Sequence, residues 1–134
     1  MCILYTFFNI IKKIKEVIVM SEKLSFNVYQ KEAFELISAE GRKDMVLNGV
    51  LGLAGETGEC CDIVKKYKFQ GHELDKEHLK DELGDVLWYI AETCSGLGIT
   101  LEEVAQYNLD KLHKRYPKGF EAQKSINRNE KEYK

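Results

Sequence analysis

Apolar residues recur every three or four positions along most of this chain, and no stretch alternates strictly as a half-buried strand would. Between Asp44 and Phe69, the residues Val46, Val50, Leu53, Thr57, Cys60 and Val64 form one helical stripe, with Glu56, Glu59 and Ile63 directly beside it. A second stretch, Lys76 to Ser95, stacks Leu83, Leu87, Ile90 and Cys94 as its apolar stripe and sets Glu82, Asp85, Val86 and Tyr89 alongside. Asn27 followed by Gln30 reads as the capping box of an earlier helix running to Glu40. Thr100 with Glu103 opens a further helix that runs to Tyr116, where Pro117 stops it. Gln70-Gly71-His72-Glu73 and Gly96-Leu97-Gly98 mark the turns between them. Four helices with short connections predict an all-α fold, an antiparallel four-helix bundle that oligomerises.

One pattern conflicts with the helix that carries it. Gly49, Gly52, Gly55 and Gly58 recur every three residues, and each costs a helix interior about 1 kcal/mol relative to alanine. Close approach of a neighbouring helix would offset that cost, as would backbone access beside bound phosphates, and the first is the stronger expectation.

Composition narrows the function classes. The 134 residues suffice for one domain, and a net charge of −2, without a basic stripe interleaved with aromatics, argues against nucleic-acid binding. The adjacent Cys60 and Cys61 lie in a predicted helix where no loop needs stapling, which points to a reduced, cytoplasmic compartment. Residues 1–19 are rich in isoleucine, phenylalanine and valine, but Lys12, Lys13, Lys15 and Glu16 interrupt them. That segment is a poor membrane span and lacks the layout of a signal peptide. It is expected to be an extension before a start at Met20, followed by a catalytic domain over 20–120 and a polar, poorly ordered tail over 121–134.

Within the two central helices, Glu56-Thr57-Gly58-Glu59 and Glu82-Leu83-Gly84-Asp85 each place two carboxylates three residues apart, on one helix face. Packed side by side, the helices would offer a cage of hard oxygen ligands. Four converging carboxylates repel one another, so the arrangement makes sense with a divalent cation among them. Neither pair contains a histidine, and no zinc-spaced cysteine pair occurs, so Mg²⁺, or Mn²⁺ in its place, fits best. Magnesium commonly completes its shell with water and phosphate oxygens, which implies a phosphorylated substrate. Asn108, Lys111 and Arg115 share a face of the last helix and form a candidate phosphate clamp. Arg115 is equally suited to pair with the helix C-terminus. In the first helix Tyr29 and Gln30 are candidates for stacking on and hydrogen bonding to a base, while Trp88 lies off the carboxylate face and is read as packing.

Together these residues resemble the MazG-like members of the all-α nucleoside triphosphate pyrophosphohydrolase superfamily. The resemblance covers about residues 26–120 and rests on Tyr29-Gln30, the Leu51–Glu59 segment, the Asp81–Leu87 segment, Asn108, Lys111-Leu112 and Arg115-Tyr116-Pro117. It implies Mg²⁺-dependent hydrolysis of a nucleoside triphosphate to the monophosphate and pyrophosphate, with Glu56, Glu59, Glu82 and Asp85 as metal ligands and Lys111 on phosphate oxygens. A homodimer or homotetramer is implied as well. A narrower dUTPase- or dCTPase-like enzyme and a catalytically silent helical module are the alternatives.

Overall fold

The computed structural model describes residues 24–127, and the expectations for residues 1–19 and for the tail beyond Asn127 lie outside them. The elements are α1 (Phe26–Glu35), a 3₁₀ turn (Gly41–Lys43), α2 (Met45–Phe69), α3 (Lys76–Leu97), α4 (Leu101–Arg115) and α5 (Ala122–Ile126). No strand occurs among the described residues, so the chain is all-α as expected.

Helix boundaries follow local capping chemistry. Asp44 caps α2 by accepting from the Leu47 amide, Asp75 caps α3 through His78, and Thr100 with Glu103 forms the reciprocal box that opens α4. Gly98, in the left-handed region at φ 68°, closes α3 as only glycine does without strain. The first helix departs from expectation at both ends. Ser25, not Asn27, is its cap, and Asn27 instead donates to the Glu102 carboxylate on α4. The helix stops at Glu35 rather than Glu40, because the Arg42 guanidinium takes the terminal carbonyls of Phe34, Glu35 and Ile37. The segment after Phe120, expected to lack structure, contains the short helix α5.

Close approach explains half of the glycine puzzle. A Cβ on Gly49 would overlap the Thr93 hydroxyl and lie 3.0 Å from the Thr93 backbone nitrogen; one on Gly52 would enter the Tyr89 ring. Gly96 meets the Val46 backbone nitrogen in the same way at 2.9 Å. These contacts run in opposite sequence directions, so α2 and α3 form an antiparallel hairpin with a small-residue seam. Gly55 and Gly58 face open space, in the stretch that carries Glu56 and Glu59.

Seam packing rotates α2 from the phase its apolar stripe predicts. Gly49 and Ile63 are buried and Glu56 is half-buried, whereas Val50, Thr57 and Val64 of the predicted stripe are exposed. On α3, Ala91, Glu92 and Cys94 are buried while Leu83 stands 54% exposed, contrary to its predicted core position. The glycines win because they admit α3 along their own face, and the larger residues of α2 are left outward.

The first helix lies antiparallel across α3. Its Gln30 amide donates to the Ser95 hydroxyl at 3.1 Å and the Ile99 carbonyl at 3.0 Å, and its oxygen accepts from the Leu101 amide at 2.6 Å. One side chain thus ties α1 to the end of α3 and the start of α4. Trp88 packs into the small core with Ala33, Ala91, Cys94 and Leu101. Beyond that docked first turn α4 is largely solvated, with Tyr107 and Leu109 exposed. Among the described residues the expected four-helix bundle therefore does not close.

Replacing Gly49 with alanine is expected to destabilise the protein by about 1–3 kcal/mol through overpacking, while Gly55→Ala is expected to stabilise it by up to about 1 kcal/mol. Urea unfolding of both variants checks this; equal effects would contradict the seam.

Candidate metal centre

Because α2 and α3 are held in antiparallel register, Glu56 faces Glu82 and Asp85 across the hairpin. Carboxylate oxygens of these three residues all lie within 4.8 Å of one another. Glu82 is largely enclosed, with its side chain 13% exposed, and Glu56 is half-buried, whereas Asp85 is open to solvent. The cluster thus has a walled side and an accessible side, as a centre that must admit a ligand requires.

The electrostatics match that crowding. Glu56 holds its proton more tightly than an ordinary glutamate, first because burial disfavours its charge, then through a hydrogen bond with Glu82 and the negative charges of Asp85, Glu82 and Glu59. The donor set is all oxygen. Magnesium–oxygen distances of about 2.0–2.1 Å would place ligands no more than about 4.2 Å apart, so small side-chain rotations would close this cluster on the ion. The residues present therefore fit the divalent cation that their chemistry implies.

Glu59 does not join the three. It lies one turn along α2 and lines a separate depression of about 200 Å³ with Asp62, Lys66, His72, Asp75 and His78. Asp62 there is pulled down to about 2 by hydrogen bonds from Lys65 and Lys66, so that carboxylate is already paired within the protein. Of the phosphate-clamp candidates, Asn108 is exposed and Lys111 and Arg115 are half-buried, all on the part of α4 beyond its docked turn. Arg115 sits 5.7 Å from the Tyr116 ring. The structure thus brings three of the predicted carboxylates together and keeps the α4 cations on another element.

Three neighbours of the cluster escaped the sequence reading. His78 Nε2 lies 2.9 Å from Glu82 Oε1 and braces that carboxylate from outside; its signal was the four-residue spacing from Glu82 on one helix face. Tyr89 packs on Gly52, and burial, followed by the charges of Glu56, Glu92 and Asp85, raises its phenol so that it stays neutral. Glu92, only 1% exposed, accepts from Asn48 Nδ2 at 2.9 Å. It lies two turns beyond Asp85, a repeat visible in the sequence but attributable only once Asn48 is placed opposite.

The first-helix candidates divide. The Gln30 amide is engaged within the protein, as described above. Tyr29 stands beside the cluster, its phenol raised by burial and then by the Asp85 charge. It also lines a groove of about 380 Å³ between α1 and α3 that contains both Asp85 and Trp88. Trp88 thus packs, as helix phase implied, yet shares a groove with a cluster carboxylate.

Among the described residues no helix is long and apolar enough to cross a membrane. A family model described as the MazG nucleotide pyrophosphohydrolase domain matches residues 47–120, from the first turn of α2 to just beyond α4. The Gene 37 protein of Mycobacterium phage L5 is 38% identical over 73 residues, covering 52% of this chain and 64% of that protein. The chain therefore spans less than two thirds of the length of that relative. No solved structure matches this chain. With the family model covering more than half of its length and all four predicted carboxylates inside the matched span, this chain belongs to the MazG nucleotide pyrophosphohydrolase domain family.

Proposed function

We propose that the protein hydrolyses a nucleoside triphosphate to the monophosphate and pyrophosphate, using Mg²⁺ held by Glu56, Glu82 and Asp85. The convergence of these three carboxylates across the α2–α3 hairpin, in a MazG domain, is the observation that carries the reading. When bound, the cation would neutralise phosphate charge and acidify the attacking water. His78 fixes the orientation of Glu82, and the half-buried Glu56 closes the inner wall of the centre against bulk water.

Glu59 shares the helix face of Glu56 but stands outside the three, so its carboxylate is the one left to accept the proton of the attacking water. Lys111 and Asn108 would hold phosphate oxygens from α4. Support for a second copy comes from what one chain leaves uncovered. Leu47, Val50, Leu51 and Val64 on α2 and Tyr107 and Leu109 on α4 are all exposed, an apolar surface suited to a twofold interface that would complete the bundle and wall the site.

Four measurements test this reading. Pyrophosphate release across a panel of ordinary and modified nucleotides is expected with Mg²⁺ and lost with chelator; orthophosphate as the product would contradict the cleavage site. Asp85→Asn is expected to abolish Mg²⁺-induced thermal stabilisation and lower turnover by more than about 100-fold. Glu59→Gln is expected to keep the Mg²⁺-induced shift while lowering kcat by about 10²–10⁴-fold, and loss of the shift would instead make Glu59 a ligand. Static light scattering at assay concentration is expected to show a dimer or tetramer, and a fully active monomer would remove the shared-site proposal.

The raised proton affinity of Glu56 carries a stability signature of its own. Folding tightens its proton, so the metal-free protein should lose stability as pH rises from the ordinary glutamate range through the raised value. Glu56→Gln is expected to flatten that slope, as followed by thermal melts in chelator.

A further inference from the structure

The groove between α1 and α3 includes Asp85 in its lining, together with Tyr29, Glu32, Ala33, Leu36, Gly84 and Trp88. At about 380 Å³ it falls within the range of small-molecule sites, and it is continuous with the carboxylate cluster through Asp85 itself. A second apolar depression of the same volume, bounded by Leu24, Phe26, Tyr29 and Leu87, touches none of the cluster carboxylates.

The chemistry of the groove is specific. Tyr29 and Trp88 supply two aromatic side chains, and Gly84 has open space where a side chain would otherwise project. The Trp88 indole nitrogen donates to the Ala33 carbonyl at 3.3 Å, which anchors the ring and leaves its surface for contact. Glu32 is exposed and makes no side-chain hydrogen bond or ion pair among the described residues, unlike Glu35, which pairs with Arg42. An ionised carboxylate only accepts hydrogen bonds. A planar heterocycle lying in this groove would therefore meet an acceptor at its edge. An exocyclic amino group satisfies that acceptor, while a carbonyl at the same position is repelled by it.

We propose that this groove holds the nucleobase of the substrate and that Glu32 selects bases carrying an exocyclic amino group, cytosine, adenine and guanine, over the counterparts that lack it, uracil and hypoxanthine. The inference rests on the hydrolase reading above and names the substrate class for the same site. Because Glu32 is exposed, its discrimination is set at the low end for a hydrogen bond to a charged group, about tenfold in kcat/KM.

The test compares pyrophosphate release from dCTP against dUTP and from dGTP against dITP, in the wild-type protein and in Glu32→Gln. Wild type is expected to favour the amino-bearing member of at least one pair by about tenfold, and Glu32→Gln to bring that ratio within about threefold of one. The amide both donates and accepts, so it tolerates either base edge. A binding readout is independent of turnover. Trp88 is the only tryptophan in the chain, and its emission is expected to change saturably with α,β-methylene dCTP and Mg²⁺, more weakly in Glu32→Gln. An unchanged base ratio in Glu32→Gln, or a Trp88 emission unmoved by an analogue that competitively inhibits, would overturn the subsite while leaving the hydrolase reading intact. Absence of pyrophosphate release from every nucleotide would remove both.

Discussion

Gly49 and Gly52 allow α3 to lie against α2 at a separation that a single methyl group would prevent, and the geometry of the carboxylate cluster depends on that approach. Glu56 belongs to one helix and Glu82 and Asp85 to the other, so their convergence is a property of the hairpin and not of either motif alone. The helix-propensity cost of the glycines is offset where Tyr89 and Thr93 fill the seam. At Gly55 and Gly58, where nothing fills the space, the cost is carried beside Glu56 and Glu59.

The same seam sets a tension between stability and function. Like charges are pressed together across it, and Glu56 holds its proton more tightly than usual, first through burial and then through the hydrogen bond with Glu82 and the neighbouring charges. Around the cluster the protein has arranged groups that support it: His78 braces Glu82, and Tyr89, whose phenol stays neutral, packs in the seam beside it. A cation would relieve the repulsion, so the folded state and the loaded state favour one another.

How legible all this was depends on the range of the interaction concerned. Capping is local, and Thr100 with Glu103, the Asp44 region and the Gly98 stop were readable because each involves residues within a turn of one another. The carboxylate pairs were readable because helical spacing alone puts Glu82 and Asp85 on one face. What failed was helix phase against a partner. Val50, Val64 and Leu83 form convincing apolar stripes, yet they are exposed because the glycine face takes the interior position. The end of α1 was missed for a related reason: Arg42 terminates it from outside the helix, and no periodicity encodes that. Likewise Gln30, plausible both as a cap and as a base reader, proves to be a tie among three helices, a role that exists only once Ser95 and Leu101 are folded against it.

The central claim is that the hairpin brings Glu56, Glu82 and Asp85 together as the ligands of one divalent cation. Anomalous diffraction from crystals grown with Mn²⁺ and a non-hydrolysable nucleotide tests it most directly. The account predicts a manganese peak between these three carboxylates, at about 2.1–2.2 Å from an oxygen of each. A peak elsewhere, such as among Asp62, Asp75 and His78, or none at the cluster with nucleotide bound, would contradict it.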